Sequence, residues 1–534
     1  MNMKRIFMIG LLMTASFFYA QKLPVSITES KVYRMTTPRV QNDYIIPDAK
    51  GGFVSISTKR SGFLANPLVL ESYIAYYNND LEQIKTKTIK LNKGSLKGSI
   101  KGAFIADEKL NMINLETNYR QKFISFSRLT ADLKADEVKE KEFFRIKGIY
   151  PKNEVNLYVN LNSLYYEKLK YYSDVNFFNP KIFIKFSDDH KYFAIIYRDF
   201  DKTKTRYLVN VFNQDFQQVN SQIIQNNTPA KMFYINDIVV DNEKGNVFVV
   251  AKIYKTDPFL KNKLVNKDNI RNFILYKLSQ SGVQSFEIHP EKVMEELHLI
   301  YNKELVVYGF YRKHFLDLND IDGVFRMNIH PGNFHKTSQM YEAFTDKLLS
   351  TSYKKSFKKT KNHKMIVRKS YLLEDGSLLI NSEDFYIPMM KKRKDREALV
   401  REIVGDLFSI KINNQGHVLW AKRVYKVQVV KPRLALHSYF SALHNGNNYI
   451  LYTDTRQKKP EKNASFYMKD KDLQNLYGIK INTAGAIQQA VVKENTKSKF
   501  RFMPIEGTMI SKDEAIIPAK NHLMIKFYKI KFEK

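Results

Sequence analysis

One unit recurs along the chain: a short run of apolar, β-branched and aromatic residues, a polar turn, and a second such run. Its clearest copy covers residues 182–197, with Ser187 and Asp188 in the turn. Turn side chains of this kind bond their own backbone, and the flanking composition is typical of strands, so each unit predicts a β-hairpin. Seven further copies lie at residues 45–57, 104–114, 235–251, 299–311, 371–381, 443–453 and 509–518.

A second hairpin usually follows the first. Gly282, Gly416 and Gly485 each close a short polar turn between two apolar runs, which is a hairpin signature. Two hairpins make the four strands of a propeller blade. The units recur every 55 to 82 residues, more than the roughly 40–50 of a compact blade, so the loops must carry insertions. We therefore predict an all-β fold: a single large β-propeller of seven or eight four-stranded blades with loop insertions.

The last unit has only three strands, at about residues 502–509, 514–518 and 523–532. An N-terminal strand at residues 30–37 would supply the fourth, close the ring and remove an exposed sheet edge. Eight blades result if every unit is a blade, and seven if the weak unit around Phe104 is not. Residues 396–404 have a helical pattern and are predicted to form a helix within an insertion.

The N-terminus is predicted to be a targeting segment. Residues 1–5 are basic and residues 6–20 are apolar, a length that suits a signal peptide better than a membrane span. We assign residues 1–20 to a signal peptide, with cleavage after Ala20 or alternatively after Ser16, and residues 21–534 to the propeller domain. An uncleaved anchor is the other interpretation. No later stretch is apolar enough to cross a membrane, so we expect a periplasmic or extracellular protein.

The chain has no cysteine, which excludes disulfides, thiolate metal sites and a lipid-anchored cysteine. It has 87 Lys and Arg against 54 Asp and Glu, a net charge of +33, and basic runs at residues 354–368 and 391–394. Such a charge attracts polyanions. In an exported protein, it favours a cell-envelope protein or an anionic glycan as partner over nucleic acid. Solvated lysines that protect strand edges are the alternative explanation. We expect a monomer.

Sequence signatures of common catalytic and metal sites are absent. There is no nucleophile elbow, phosphate-binding loop or zinc-protease motif. Residues 317–323 resemble a calcium loop but fail its ligand spacing. Five histidines within residues 289–335 lack a short metal spacing, and the adjacent acids at 295–296 and 374–375 point to opposite faces of a strand. We predict no metal and no cofactor.

Candidate ligand-binding residues follow the predicted strand at residues 378–382. Glu383 and Tyr386 place an acid beside aromatic residues at a strand end, and Lys426 and Gln428 follow a later strand of the same unit. Loops from every blade of a propeller converge on one rigid face, so these four residues are predicted to line a binding face.

The same region carries a family resemblance. Residues 375–386, residues 405–413 and Gly416 with Trp420 resemble a group of uncharacterised, exported, propeller-like proteins of Gram-negative bacteria, and Gly309 and Gly323 with their neighbours fit that group. The resemblance covers most of the chain and is best over residues 300–455. It implies a blade pattern and an exported protein, but no activity, cofactor or catalytic residue.

These observations favour a non-enzymatic binding protein of the cell envelope. One alternative is a hydrolase or lyase that acts on an acidic polysaccharide, with its site in the propeller funnel. That alternative requires carboxylates, histidine or tyrosine from different blades to meet within a few ångströms there. The other alternative is a scaffold of an envelope assembly, which requires an exposed apolar patch.

Overall fold

The structure is a computed structural model. It describes residues 23–35, 40–61, 68–93, 96–118, 121, 123–133, 137–147, 182–199, 205–229, 232–255, 270–294, 296–312, 321–344, 363–386, 402–426, 428–430, 438–454, 475–495, 500–521 and 523–533.

The described residues form eight antiparallel sheets, which we number as blades 1–8 in chain order. Strands β1 (Val25–Glu29) and β2 (Tyr33–Arg34) precede blade 1. Blade 1 is β3 (Val40–Pro47), β4 (Phe53–Ser61), β5 (Leu68–Tyr77) and β6 (Gln83–Lys90). Blade 2 is β7 (Asn92–Lys93), β8 (Leu96–Ala106), β9 (Lys109–Asn118), β10 (Phe123–Asp132) and β11 (Val138–Lys147).

Blades 3 to 5 follow the same order. Blade 3 is β12 (Ile182–Phe186), β13 (Tyr192–Arg198), β14 (Thr205–Asn213) and β15 (Gln218–Asn226). Blade 4 is β16 (Phe233–Val240), β17 (Val247–Tyr254), β18 (Ile270–Ser279) and β19 (Gly282–Ile288). Blade 5 is β20 (Val293–Met294), β21 (His298–Asn302), β22 (Glu304–Arg312), β23 (Gly323–His330) and β24 (His335–Ala343).

Blades 6 to 8 complete the ring. Blade 6 is β25 (His363–Leu372), β26 (Leu378–Tyr386), β27 (Glu402–Ile412), β28 (Val418–Val424) and β29 (Gln428–Val430). Blade 7 is β30 (Tyr439–His444), β31 (Asn447–Asp454), β32 (Asn475–Ile481) and β33 (Ile487–Lys493). Blade 8 is β34 (Arg501–Phe502), a 3-10 turn (Pro504–Glu506), β35 (Thr508–Met509), β36 (Glu514–Asn521) and β37 (Met524–Phe532), to which β1 and β2 pair.

The eight blades are arranged as a ring, with the first strand of each blade innermost. First strands of neighbouring blades lie against one another, as β12 does with β16 and β16 with β21. The fourth strands are the most exposed, with β6 alternating between exposed and half-buried residues. The β-propeller prediction is therefore confirmed with eight blades. All eight predicted hairpins, including the weak one at residues 104–114, pair the inner strands of a blade.

The N-terminal strand closes the ring, as predicted, but most of its pairing lies upstream of the predicted residues 30–37, of which 36 and 37 are outside the described residues. The outer strand of blade 8 is β1, with Val25 opposite Phe532 and Glu29 opposite Tyr528. The predicted strand at residues 30–37 is interrupted at its first residue, because the Ser30 hydroxyl accepts the Phe527 N–H in place of a backbone carbonyl. Only the two residues of β2 pair again with β37.

The predicted helix at residues 396–404 is also wrong where it can be compared. Residues 402–404 begin β27, and Val404 pairs with Phe385 of the neighbouring strand. The sheet overrides the local helical pattern because a strand in this place supplies backbone partners on both sides. The rest of that segment lies outside the described residues.

The core lies mainly between adjacent blades. One buried cluster joins blades 3 and 4 through aliphatic residues such as Ile196, Val209 and Val249, each no more than 1% exposed. Another joins blades 4 and 5. Aromatic residues also pack between blades, as where Phe143 of blade 2 meets Phe212 of blade 3 with ring centroids 5.2 Å apart.

The two ends of the ring differ in their connections. At one end, which we call the short-turn end, one to six residues join first to second strands and third to fourth strands. Asn413 illustrates these turns, because its side chain accepts the N–H groups of Gln415 and His417. At the other end, the long-connection end, the spans include residues 148–181 and 455–474.

Cations on third strands connect neighbouring blades at the short-turn end. Lys277 Nζ of blade 4 donates to the carbonyl of Gly332 in blade 5 at 2.8 Å. Arg326 Nη1 of blade 5 donates to the carbonyl of Asn413 in blade 6 at 2.8 Å, and burial lowers the pKa of Arg326 to about 10. Part of the positive charge of the sequence therefore serves the packing of the ring.

Candidate functional site

A buried ionic network lies where blade 6 meets blade 7, and it contains three of the four predicted site residues. Lys426 Nζ lies 3.0 Å from Glu383 Oε2 and 3.1 Å from Gln428 Oε1. Glu383 and Lys426 are fully buried and Gln428 is 2% exposed. A buried lysine and glutamate need each other and further hydrogen bonds to offset the loss of hydration.

Lys426 lies in a gap between two paired segments of the sheet. Strand β27 pairs with β28 as far as Val424 and with β29 from Gln428. Tyr425 and Lys426 follow the last residue of β28 within this gap. The backbone N–H of Lys426 donates to Asp406 Oδ1 at 3.0 Å, which fixes the chain there against β27.

Glu383 has a second cationic partner on the innermost strand of the blade. Arg368 Nε lies 2.6 Å from Glu383 Oε1, and the Arg368 side chain is 15% exposed. Burial alone raises the pKa of Glu383, but the charges of Lys426 and Arg368 outweigh it and hold the pKa below the ordinary value. Glu383 is therefore ionised at neutral pH.

Gln428 carries the network across to blade 7. Its amide nitrogen donates to the carbonyl of Thr453 at 2.6 Å and to the Thr453 hydroxyl at 2.9 Å. Its carbonyl oxygen accepts the backbone N–H of Ser438 at 2.8 Å. Ser438 is fully buried and has a φ of +80°, a region that L-residues rarely adopt. A strained residue is thus held by the network.

A second ion pair adjoins the first. Arg423 Nε lies 2.7 Å from Asp406 Oδ2, and the Arg423 guanidinium lies 4.7 Å from the ring centre of Tyr425, which is 52% exposed. Burial raises the pKa of Asp406 despite the opposing charge of Arg423. The negative charge of Asp384, which is 2% exposed, raises the pKa of Asp406 further.

The network is a structural junction rather than an open pocket in this structure. Glu383, Lys426 and Gln428 satisfy one another and are inaccessible to solvent, so a ligand would reach them only if the network opened. Tyr386 is the last residue of β26 and pairs with Ile403, and its side chain lies outside the described part of the chain. The ligand-binding role of the four residues stays a prediction.

A second cluster lies at the innermost strands of blades 4 and 5, and sequence reasoning considered two of its members, His298 and Glu296, without linking either to Asp237. His298 Nδ1 lies 3.8 Å from Asp237 Oδ2, and His298 Nε2 lies 4.0 Å from Glu296 Oε2. The side chains of Asp237 and Glu296 are 20% and 24% exposed. The residues are 61 positions apart in the sequence, and only the contact between β16 and β21 brings them together. No local motif signals such a pair.

The remaining sequence candidates do not converge. Asp375 accepts the N–H of Ser377 in a short turn. The rings of His330 and His335 stack on the short-turn end, with centroids 5.8 Å apart. Glu295 and residues 317–320 lie outside the described residues. Within the described ranges, no three His, Asp or Glu side chains are placed to hold a metal ion, and no helix is long and apolar enough to cross a membrane.

Comparison with known proteins gives no family. No protein-family model and no curated protein matches the chain. Among solved structures, a polysaccharide lyase is 10% identical, with 95% of this chain and 100% of that chain covered and a TM-score of 0.37. The β-propeller domain of the Trilobed protease from Pyrococcus furiosus is 9% identical, with 75% and 96% covered and a TM-score of 0.32. A mutant of the Synechocystis apocarotenoid oxygenase is 8% identical, with 77% and 96% covered and a TM-score of 0.31.

Proposed function

We propose that the protein is an exported β-propeller that binds an acidic glycan of the cell envelope with the long-connection end of blades 6 and 7. The observation that carries the proposal is that four connections anchored at the long-connection end are strongly basic in sequence, whereas the short turns are acidic. A charged end on a rigid scaffold attracts polyanions in a defined orientation.

The charges divide according to the connections. Four connections of blades 6 and 7 begin and end at the long-connection end, and they hold 20 Lys and Arg against 6 Asp and Glu; they are residues 345–362, 387–401, 431–437 and 455–474. The short turns of all blades together hold 6 Lys and Arg against 15 Asp and Glu. The lysines of the four connections lie outside the described residues, whereas the strands that anchor them are described.

The described residues support binding over catalysis on an acidic glycan. The cluster of Asp237, Glu296 and His298 meets the requirement that groups from two blades come together. It nevertheless places two carboxylates beside one imidazole, and these would repel a uronate or sulfate group. The Glu383–Lys426 pair at blade 6 is fully buried, which suits a scaffold beneath a binding surface.

The test compares two fourfold variants with the same change in net charge. Binding of the mature protein to a uronate-rich and a sulfated glycan is measured at low and moderate salt, with a neutral glycan as reference. One variant replaces four cations of the long-connection end with Gln: Lys391, Lys392, Arg393 and Lys394. The control replaces four lysines of the short turns with Gln: Lys50, Lys191, Lys244 and Lys512.

We expect the first variant to bind about tenfold more weakly and to have a shallower salt dependence, because it releases fewer counterions. The control should stay within about twofold of the unmodified protein, since its charges lie at the other end. Equal losses in both variants would mean that binding is a generic effect of net charge. No binding of either acidic glycan by the unmodified protein would overturn the proposal.

A further inference from the structure

We infer that the buried Glu383–Lys426 pair is a positioning device: its network ties together the strand ends from which all four basic connections leave. The inference rests on the proposed glycan binding for its purpose. The contacts that carry it are described independently of any ligand.

The members of the network flank the connections along the chain. Each of the four connections begins or ends within a few residues of the network. The residue at that point is either Glu383 or Gln428, or a residue that bonds to Glu383, Lys426 or Gln428. These groups are Arg368 after residues 345–362, Glu383 before and Asp406 after residues 387–401, Gln428 before and Ser438 after residues 431–437, and Thr453 before residues 455–474.

Stability alone does not explain a buried pair at this place. Apolar side chains of similar volume serve as well as a buried ion pair, or better, in holding two elements together. The interface of blades 3 and 4 is built in that way. Apolar packing has no preferred direction, whereas each hydrogen bond of an ion pair is directional. We infer that these bonds fix the positions of particular strand ends.

The strained backbone of Ser438 supports the same conclusion. Its N–H donates to Gln428 Oε1, and Gln428 is itself held by Lys426 at 3.1 Å. A φ of +80° at a non-glycine residue persists only where the surroundings over-determine it. The network therefore sets the exit of the chain from residues 431–437 into β30.

Strand ends that are held in this way give the basic connections fixed points of attachment. Attachment points that are already ordered lower the entropy cost of binding a ligand that bridges several of them. The expected consequence is selectivity between glycans of equal charge density whose acidic groups are spaced differently. Total charge supplies the remaining, unselective part of the affinity.

The first test needs no ligand. The double variant Glu383→Gln/Lys426→Met removes both fully buried charges together, and it leaves Arg368, whose side chain is 15% exposed, beside an uncharged amide. The control variant Asn381→Ser/Asn448→Ser breaks another buried pair of the same interface, with the two side chains 2.8 Å apart and nearer the short-turn end. Backbone hydrogen exchange is then measured on both ends of β26, β27 and β31.

We expect the double variant to lose about tenfold of its protection at residues 383–386, 402–406 and 450–454, and to keep it at residues 378–381 and 409–412. The control should show the reverse. An equal loss at both ends of the strands would show a purely structural role and overturn the inference, as would unchanged protection at residues 402–406.

The second test uses two sulfated glycans of equal charge density and different sulfate spacing. The double variant should lose the preference of the unmodified protein for one of them, by about tenfold, whereas the control keeps it. If the unmodified protein binds neither glycan, the proposed function fails and the hydrogen exchange still decides the positioning role. If preference survives in a variant whose strand ends have loosened, the link between the network and binding is wrong.

Discussion

Two interfaces of the same ring are built from different chemistry. Between blades 3 and 4, Ile196, Val209 and Val249 pack in an aliphatic cluster. Between blades 6 and 7, Glu383 and Lys426 form a buried ion pair within a smaller apolar surround. The fold accepts both, so blade packing does not demand the ion pair. Apolar burial holds the blades together at both interfaces, and we attribute the positions of the strand ends at blades 6 and 7 to the directed polar contacts.

The largest expected effect comes from leaving one buried charge alone. Lys426→Met should lower the free energy of unfolding by about 3–5 kcal/mol, because Glu383 then keeps only Arg368 as a cationic partner. Ile196→Ala, in the aliphatic interface, should cost about 3 kcal/mol through lost burial and a cavity. Denaturant unfolding of both variants measures the difference between the interfaces.

The double variant Glu383→Gln/Lys426→Met sharpens that comparison. It should recover much of the loss caused by Lys426→Met, because the buried charge is removed with its partner. No cavity variant of the aliphatic interface can be rescued by removing a neighbour. A double variant as unstable as the single one would show that the pair acts through its volume and not through its charge.

The pH dependence of stability should separate the two interfaces next. The folded-state pKa of Glu383 lies below its ordinary value of 4.5. The stability linked to this group is therefore present above pH 4.5 and is lost as the pH falls through the folded-state pKa. The stability difference between the unmodified protein and Glu383→Gln should shrink on acidification below pH 4.5, whereas the difference from Ile196→Ala should stay constant.

Asp406, in the same network, should change the stability of the protein with pH in the opposite direction to Glu383. Its folded-state pKa lies above the ordinary value of 3.8, so its favourable contribution is present below pH 3.8 and is lost as the pH rises through the folded-state pKa. The stability of Asp406→Asn relative to the unmodified protein should therefore rise as the pH rises through that range. Unfolding curves at closely spaced pH values below 6 would contradict this account if Glu383→Gln and Asp406→Asn moved in the same direction.

The smallest expected effect concerns the strained backbone of Ser438. Ser438→Gly and Ser438→Ala both remove the hydroxyl, but only glycine adopts a φ of +80° without strain. Ser438→Gly should be about 1 kcal/mol more stable than Ser438→Ala, since the left-handed region costs an L-residue roughly that much. Thermal unfolding of the two variants measures the difference. Equal stability would mean that the backbone strain is relieved elsewhere.

The sequence was sufficient for most of the fold, because hairpins are local. The hairpin from Ile182 to Tyr197 consists of consecutive residues, so its strands and turn are visible in the sequence, and the same holds for the other seven hairpins. The end of β1 at Glu29 is not predictable from the sequence pattern, because it coincides with one side chain, Ser30, accepting the Phe527 N–H in place of a backbone carbonyl.

The candidate site was predictable only in part. Glu383, Lys426 and Gln428 were singled out as neighbours of strand ends, and the structure does bring them together. Their burial does not follow from the sequence, because it depends on where β27 stops pairing with β28 and begins to pair with β29. The contact of His298 with Asp237 depends on the packing of two blades, which no local pattern encodes.

The pairing of β1 with β37 also fixes an order of events. The Ser30 hydroxyl and the Phe527 N–H that it accepts are 497 residues apart, so this contact carries one of the largest loop-closure costs that the chain can incur. A chain made from its N-terminus has to hold its first strand unpaired until its last strand exists. We therefore expect closure of the ring at blade 8 to come late in folding, and a truncation that removes β1 or β37 to leave blade 8 without its outer strands.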